Sequence, residues 1–342
     1  MARSGAAAPA GAADGRDGAS AGGARRVLVI KLGAFGDVLL ADGALRDIRA
    51  AHPGAEIAVL TTPAYRRILE ACPHVDRVLV DPRAPRWRLD RMAALRRRLR
   101  AFAPGMVYDL QNNARTAFYH RWMLRGTPWS GTAPGCSHPH RMANPKSVNA
   151  RERHATQLAD AGLAVRHARA PRPDWMIRDV SAVLAANGVV EPFIVLIPGS
   201  AARHPHKRWP GYAALAEALI AEGRRVVTVP GPDEVALCRS VPGVTLMDGE
   251  RWLDWFELAG VLSRAAFVVG NDTGPSHLAA HLGVPGLALF GSHTPAERTG
   301  IRREGFDAIE VADLADLPVA TVLDAVRRGL AGGPDPAGGR IS

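Results

Sequence analysis

The sequence has few cysteines, few lysines and no long apolar run, and each shortage argues against a class of protein. Its three cysteines, Cys72, Cys136 and Cys238, contain no CxxC pair, which argues against a disulfide framework or a cysteine zinc site and indicates reduced bystanders. No apolar run approaches the roughly 20 residues that cross a bilayer. Residues 1–24 are rich in Ala and Gly and lack the apolar core of a secretory signal, so we expect a disordered tail and a cytoplasmic protein.

Lysine is scarce, yet the chain is strongly basic. Of its 43 Lys and Arg residues only Lys31, Lys146 and Lys207 are lysine, and 33 Asp and Glu residues leave a formal net charge of +10. This balance favours anionic partners, among them nucleotides, phosphorylated substrates and an acidic membrane surface. The sequence has no helix-turn-helix, zinc-finger or aromatic-interleaved basic stretch, so nucleic acid is not an expected partner.

Strand and helix patterns alternate along the chain in two separate series, and 342 residues are enough for two domains. In the first series the predicted strands are 26–30, 56–60, 77–80 and 106–110, and the predicted helices are 38–51, 64–71, 88–100 and 153–164. In the second series the predicted strands are 193–197, 225–229, 244–247, 267–269, 287–290 and 308–311, and the predicted helices are 212–221, 234–238, 253–263, 276–282 and 319–330. This alternation predicts an α/β fold of two Rossmann-like domains, each built on a doubly wound parallel sheet, with a cleft between them.

The domain boundaries follow from these two series. We expect a linker at 171–185, because residues 170–174 (APRPD) are rich in proline. The N-terminal domain is then 25–170, the C-terminal domain is 186–332, and 333–342 is a flexible tail.

Two stretches of the first domain are unusually basic. Residues 111–153 are irregular and repeatedly broken by Gly and Pro, which predicts long loops that are functional or disordered. The helix at 88–100 is rich in arginine. Its apolar residues recur at helical spacing, which predicts a buried face made by Leu89, Met92, Leu95 and Leu99.

Ligands of such sheets bind outside the carboxyl ends of the strands, so the loops after strands are the candidate sites. Residues 33–37 (GAFGD) follow the first strand and open a helix, but they do not form a GxGxxG motif, so dinucleotide binding is not supported. Asp37 could be a general base at the mouth of the cleft. From the residues alone we prefer the other interpretation, an acidic residue at a helix start, where aspartate is favoured.

Several loops of the second domain carry polar residues after strand ends. The loop from Ser200 to Arg208 holds Lys207, which suits a diphosphate, although a solvated basic loop would look the same. The loop 229–234 places Glu234 where a ribose hydroxyl could be held, or where a carboxylate caps the next helix. Residues 291–295 could add a polar wall to the same pocket.

The stretch 271–274 (NDTG) stands between a buried strand and a helix that ends at 283–285 (GVP). Backbone N–H groups and the helix dipole at such a junction can hold a phosphate, although many βα turns bind nothing. His277 and His281 have the i, i+4 spacing of half a zinc site. The glutamate of an HExxH motif and a third ligand are both missing, so a metal site is not expected.

Taken together, these loops resemble one family. The segments that carry the resemblance are 32–38 (LGAFGDV), 108–111 (YDLQ), 207–210 (KRWP), 231–234 (GPDE), 271–280 (NDTGPSHLAA) and 288–291 (ALFG). Over about residues 25–330 their order is similar to that of glycosyltransferase family 9, the lipopolysaccharide heptosyltransferases. The 271–280 block is specific, whereas the Gly-Asp element alone is weak.

The resemblance implies a GT-B fold and an inverting, metal-independent sugar transfer without a cofactor. It implies a nucleotide-sugar donor, typically ADP-heptose, on the C-terminal domain and a phosphorylated glycolipid acceptor on the N-terminal domain, at an anionic inner-membrane surface. Asp37 would be the general base and Lys207 the charge partner of the diphosphate. The other donor-binding residues would be Ser200, Glu234, Asp272, Thr273, Gly274, Ser276 and His277, and the acceptor-binding residues would be Gly36, Gln111 and Arg115.

The sequence departs from the family pattern at the loop 115–146, which leaves the acceptor open, and at the added N-terminal tail. Two other functions remain compatible with the residues. One is a nucleotide-sugar epimerase or hydrolase of the same fold, which would turn over donor without acceptor. The other is a non-catalytic sugar-nucleotide or lipid-binding protein, against which the presence of both Asp37 and Lys207 argues.

Overall fold

The computed structural model describes residues 24–142, 148–201 and 204–332. The predicted tails at 1–24 and 333–342 lie outside the described residues, apart from Ala24, and so does Lys146. The described chain forms two six-stranded sheets in which every strand pair is parallel. The predicted pair of Rossmann-like α/β domains is confirmed.

The N-terminal sheet has the strand order β3-β2-β1-β4-β5-β6. Its strands are β1 (Arg26–Ile30), β2 (Glu56–Thr61), β3 (Arg77–Val80), β4 (Met106–Asp109), β5 (Trp129–Gly131) and β6 (His138–Pro139). Its helices are α1 (Phe35–Leu40), α2 (Asp42–Ala51), α3 (Arg66–Glu70), α4 (Leu89–Phe102), α5 (Ala114–Trp122) and α6 (Ala150–Asp160). The short helix α7 (Ser181–Ala186) then leads into the second sheet.

The C-terminal sheet has the order β12-β11-β10-β7-β8-β9. Its strands are β7 (Phe193–Ile197), β8 (Arg225–Thr228), β9 (Val244–Thr245), β10 (Phe267–Asn271), β11 (Gly286–Phe290) and β12 (Phe306–Glu310). Its helices are α8 (Tyr212–Ala221), α9 (Val235–Arg239), α10 (Trp255–Ser263), α11 (Gly274–Leu282), α12 (Ala296–Thr299) and α13 (Val319–Ala331).

Each sheet is covered by helices on both faces, which explains the continuous apolar strands. In β1, Val27 and Val29 pack into one core cluster, whereas Leu28 and Ile30 pack into the cluster on the opposite face. In the described residues no helix is long and apolar enough to cross a membrane.

The structure differs from the sequence-based prediction mainly between residues 111 and 153. This stretch contains α5, β5 and β6. Asn113 is the N-cap residue of α5, and its side chain accepts hydrogen bonds from the backbone N–H groups of Arg115 and Thr116. The helix predicted at 38–51 is divided into α1 and α2 at Ala41. The prediction that Leu89 is buried is wrong, because its side chain is 75% exposed. Leu89 is the first residue of α4, and the buried face of the helix begins only at Met92, almost one turn later.

The segment between the two sheets is tied to α2 by two buried carboxylates. Asp47 accepts hydrogen bonds from the backbone N–H groups of residues 166–168. Asp42 accepts from the Arg172 backbone and from Trp175 Nε1. The predicted linker 171–185 therefore begins as a segment fixed to the N-terminal domain, and its last residues belong to α7.

Candidate active site

The carboxyl end of β1 carries a buried lysine that the sequence analysis did not select. Lys31 is 4% exposed, and its Nζ donates to the carbonyl oxygen of Leu110 at 3.2 Å. Burial lowers the pKa of Lys31, while the negative charges of Asp37 and Asp109 act to raise it. A lysine that ends an apolar strand, in a chain with so few lysines, is the signal that could have identified it.

Asp37 lies in the first turn of α1, directly after this strand end. It is half-buried, and no hydrogen bond or ion pair to the part of the chain that the structure describes engages its carboxylate. The opposite charge of Lys31 is within electrostatic range of it. Asp37 therefore presents an unpaired carboxylate at the carboxyl edge of the N-terminal sheet, where a proton acceptor would be needed.

The start of α1 packs directly on the start of α11 in the other domain. Gly274 permits the close approach, because a Cβ atom there would lie 2.8 Å from Phe35 Cδ1. A Cβ atom on Gly36 would lie 3.5 Å from His277 Cγ, an ordinary van der Waals distance, so Gly36 lies beside the first turn of α11. Phe35 also stacks on Trp255, the first residue of α10, with ring centroids 3.6 Å apart and an interplanar angle of 18°.

In the C-terminal domain, the carboxylate of Asp272 contacts three basic side chains. Its carboxylate contacts Lys207 Nζ at 2.6 Å, His293 Nε2 at 3.1 Å and His277 Nε2 at 3.3 Å. Burial acts to raise the pKa of Asp272, but His277 and Lys207 outweigh it and hold that pKa well below its usual range. Asp272 thus stays ionised and fixes the cation of Lys207 in the cleft.

Asn271 joins the strand ends that carry these groups. Its Nδ2 donates to the carbonyl oxygens of Pro198 and Gly199 at 2.9 and 3.1 Å, and its Oδ1 accepts from the Trp209 backbone N–H at 3.2 Å and from Tyr212 Oη at 3.2 Å. From the sequence, Asn271 is predicted only to be part of a turn. The structure shows that it connects β10 to the loop that holds Lys207.

Two of the predicted donor-binding hydroxyls make hydrogen bonds within their own loops. Ser200 Oγ donates to the His204 carbonyl oxygen at 2.9 Å and accepts from Arg208 Nε at 3.1 Å. Ser276 Oγ donates to the Asn271 carbonyl oxygen at 2.6 Å. Both side chains are buried and shape the two loops around Lys207.

Thr273 and Glu234 remain more open. Thr273 is the N-cap residue of α11, but its side chain makes no capping hydrogen bond, so the first N–H groups of the helix keep their capacity for an anion. Glu234 Oε2 accepts from the Gly231 backbone N–H at 2.9 Å, and a Cβ on Gly199 would lie 2.2 Å from the Glu234 carboxyl carbon. The Glu234 carboxylate therefore lies against the backbone of Gly199, in the loop between β7 and Lys207.

The predicted acceptor residues have different surroundings. Gly36 is part of the contact with α11. Gln111 Oε1 accepts from the Leu32 backbone N–H at 2.8 Å, which fixes the loop before Asp37. Arg115 binds the buried carboxylate of Asp81 through Nε at 2.9 Å and Nη2 at 3.0 Å, and Nη1 donates to the Ala84 carbonyl oxygen at 3.0 Å. Arg115 is thus occupied by the N-terminal domain itself.

The predicted pair of helical histidines does not form a metal site. No group of three His, Cys, Asp or Glu residues in the described ranges could hold a metal ion. His281 is buried, and its Nδ1 accepts from Arg303 Nη1 at 2.8 Å. Cys72, Cys136 and Cys238 are free.

Comparisons with known proteins show the family of the chain. The model of glycosyltransferase family 9 (heptosyltransferase) matches residues 92–306. Lipopolysaccharide heptosyltransferase 2 of Escherichia coli (strain K12) is 25% identical over 303 residues, which cover 79% of this chain and 84% of that protein.

Two solved structures share the fold. The glycosyl transferase family 9 from Veillonella parvula DSM 2008 has a TM-score of 0.75 at 21% identity and covers 90% of this chain and 98% of that chain. An E. coli heptosyltransferase with ADP-2-deoxy-2-fluoro heptose has a TM-score of 0.66 at 20% identity and covers 89% of this chain and 99% of that chain. The predicted GT-B fold is confirmed.

Proposed function

The chain belongs to glycosyltransferase family 9 and is a glycosyltransferase, and from that membership we propose that it transfers a heptose, or a related sugar, to a lipopolysaccharide-core or similar glycolipid. The donor we propose is a nucleotide-sugar, ADP-heptose before others. Support comes from the relative that is named a lipopolysaccharide heptosyltransferase and from the structural neighbour described with an ADP-heptose analogue.

The observation that carries the proposal is the position of Asp37. Its unpaired carboxylate follows Gly36, which packs on His277, and His277 is hydrogen-bonded to the same Asp272 that pairs with Lys207. One short series of contacts therefore joins a free base on one domain to a fixed cation on the other.

In the proposed reaction Asp37 accepts the proton of an acceptor hydroxyl while that oxygen attacks the anomeric carbon of the donor. The bond from this carbon to the diphosphate breaks, and the configuration inverts because the attack comes from the opposite face. Negative charge then grows on the nucleoside diphosphate. Lys207 and the N-terminus of α11 at Thr273 and Gly274 stabilise it, so the proposed reaction uses neither a metal ion nor a cofactor.

The remaining donor contacts follow from the loops around Lys207. Glu234 has one carboxylate oxygen that makes no hydrogen bond to the described residues, which suits a ribose hydroxyl. Asp272 is negative and already engaged by three cationic or imidazole groups, so we assign it to holding Lys207 rather than to touching phosphate. Ser200 and Ser276 contribute through the shape of their loops.

We propose a phosphorylated glycolipid as the acceptor and the cytoplasmic face of the inner membrane as the place of the reaction. The basic charge of the chain supports an anionic acceptor, and most of the arginines belong to the N-terminal domain, which also carries Asp37. Arg115 is bound to Asp81, so its guanidinium group is not available to the acceptor phosphates.

Purified protein tests the reaction class. Incubated with ADP-heptose, it should release ADP only when a heptose-deficient glycolipid is added, and NMR of the product should show an inverted anomeric centre. Release of an epimer or of free sugar without acceptor would instead identify an epimerase or a hydrolase. Mass spectrometry of glycolipids from cells with and without the protein then identifies the acceptor, and unchanged glycolipids would contradict the proposal.

A further inference from the structure

The outer face of α4 and α5 is far more basic than the rest of the N-terminal domain. We define the α4–α5 surface as the exposed residues between 83 and 125. Its exposed arginines are Arg83, Arg86, Arg88, Arg91, Arg96, Arg97, Arg98, Arg100, Arg121 and Arg125. Asp90 is its one exposed carboxylate within these described residues, because Asp109 is buried. The arginine charges are therefore almost uncompensated.

The same surface exposes large apolar side chains. Trp87 and Leu89 are each 75% exposed, and Trp122 is 57% exposed. Apolar groups of this size on a monomer are ordinary when scattered, but three on one charged surface mark a contact site.

These groups lie on two helices that contact each other. Arg86 lies over the ring of Phe118, with Cζ 5.8 Å from the centroid, so the residues before α4 touch the middle of α5. Trp122 follows Phe118 by one helical turn. At the other end of α4, Arg100 Nε donates to the Met123 carbonyl oxygen at 3.1 Å. The two helices are therefore in contact near both ends of α4, with Trp87 just before one end and Trp122 next to the residue that contacts the other.

The topology places Trp87 and Leu89 at the edge of the sheet that carries Asp37. α4 follows β3 and α5 follows β4, so both helices begin at the carboxyl edge of the sheet. Trp87 and Leu89 stand at the start of α4, and Asp37 lies after β1 at the same edge. A membrane bound through Trp87 and Leu89 would thus meet the edge of the sheet that carries Asp37, although α4 and α1 cover opposite faces of that sheet.

We propose that the α4–α5 surface docks this protein on an anionic phospholipid bilayer. Arginine guanidinium groups bind lipid phosphates, and tryptophan side chains prefer the interface between headgroups and acyl chains. The Leu89 side chain is apolar and makes no hydrogen bond to water, and it has no aromatic ring that could stack on a nucleobase. A lipid interface therefore accommodates it better than nucleic acid does. The proposal rests on the proposed function only in that a glycolipid acceptor would lie in the same bilayer.

Co-sedimentation of the full-length protein with vesicles tests the proposal without donor or acceptor. The protein should bind phosphatidylcholine vesicles that contain phosphatidylglycerol and bind pure phosphatidylcholine weakly, and salt should weaken the binding. The double variant Arg97→Gln, Arg98→Gln should bind about 30-fold more weakly. The double variant Trp87→Ser, Trp122→Ser should bind about tenfold more weakly at unchanged charge.

Matched variants elsewhere serve as controls. Arg224→Gln with Arg225→Gln removes the same charge from exposed positions of the other domain, and Trp252→Ser removes a tryptophan that is 43% exposed. Both controls should bind vesicles like the unaltered protein. Equal losses in the controls, equal binding to neutral vesicles, or preference for a DNA oligonucleotide over anionic vesicles would overturn the proposal.

Transfer to a detergent-dispersed acceptor separates this inference from the proposed function. The α4–α5 variants should transfer sugar normally to that acceptor while they fail on vesicles. If the unaltered protein transfers sugar but does not bind anionic vesicles, the docking surface is wrong and the function stands. If it binds vesicles through this surface but transfers nothing, the docking surface stands and the function is wrong.

Discussion

Replacing Asp272 by Asn should destabilise the fold and weaken donor binding, although Asp272 need not touch the donor. The substitution keeps the shape of the side chain and removes the charge that holds Lys207 at 2.6 Å. Removing one partner of a buried ion pair costs about 3–5 kcal/mol, because the other charge stays buried without compensation. The Lys207 side chain is 19% exposed and Asp272 is 8% exposed, so water relieves part of this cost. We therefore expect the lower end, about 3 kcal/mol.

Urea unfolding of Asp272→Asn, Lys207→Met and the double variant measures the coupling between the two side chains. The double variant should lose about 1–3 kcal/mol less than the sum of the single losses. The stabilisation should be present above about pH 4, the pKa of an unfolded aspartate, and should disappear as acid protonates Asp272 at a pH below that value. Additive losses would refute the ion-pair account.

Calorimetric titration distinguishes an orienting role for Asp272 from direct contact with the sugar. If Asp272 acts through Lys207, the Asn variant should lose the same factor in affinity for ADP and for ADP-heptose, because both ligands carry the diphosphate. A loss confined to ADP-heptose would show that Asp272 binds the sugar and would refute our assignment.

Three further substitutions test other parts of the structure. Burial raises the pKa of Asp109 to about 6, so between about pH 4 and pH 6 the folded protein keeps a proton that the unfolded chain releases. The free energy of unfolding should therefore fall by up to about 3 kcal/mol as the pH rises through this window. Urea titrations at several pH values should show that Asp109→Asn removes this pH dependence. Arg115→Gln should cost about 3–5 kcal/mol of unfolding free energy by stranding Asp81, with an unchanged KM for acceptor; a raised KM at unchanged stability would restore Arg115 to the acceptor site. Gly274→Ala should lower stability by about 1–3 kcal/mol because its Cβ would press on the ring of Phe35, whereas Gly54→Ala, with nothing within 4 Å, should be neutral or slightly stabilising in the same denaturation assay.

The sheets and the loops at their carboxyl edges could be predicted because continuous apolar runs determine buried parallel strands. β10 and β11, for example, are short runs of this kind, and the polar loop after β10 holds Asp272 as expected. α5 was missed because its apolar residues form no clear stripe and because Gly and Pro dominate the chain around it. The cap at Asn113 was the local signal that could have located it.

The partners of the charged residues could not be predicted, because they depend on tertiary contacts. Lys207 and Asp272 are 65 positions apart, and Arg115 and Asp81 are 34 apart. The sequence marked Lys207 and Arg115 alike as basic residues near ligand loops. Only the fold shows that the Asp272 carboxylate holds Lys207 at the cleft, whereas Arg115 is bound to Asp81 inside the N-terminal domain.

The central claim is that Asp37 accepts the proton of the acceptor hydroxyl, and the most direct test is the rate of sugar transfer by Asp37→Ala together with its donor affinity. General-base catalysis contributes about 10²- to 10⁴-fold, so kcat should fall by about that factor. Calorimetric affinity for the donor should be unchanged, because Lys207 and Glu234 lie on the other domain. Asp316→Asn, an exposed aspartate on the C-terminal domain, should transfer normally. Near-normal turnover by Asp37→Ala would contradict the account.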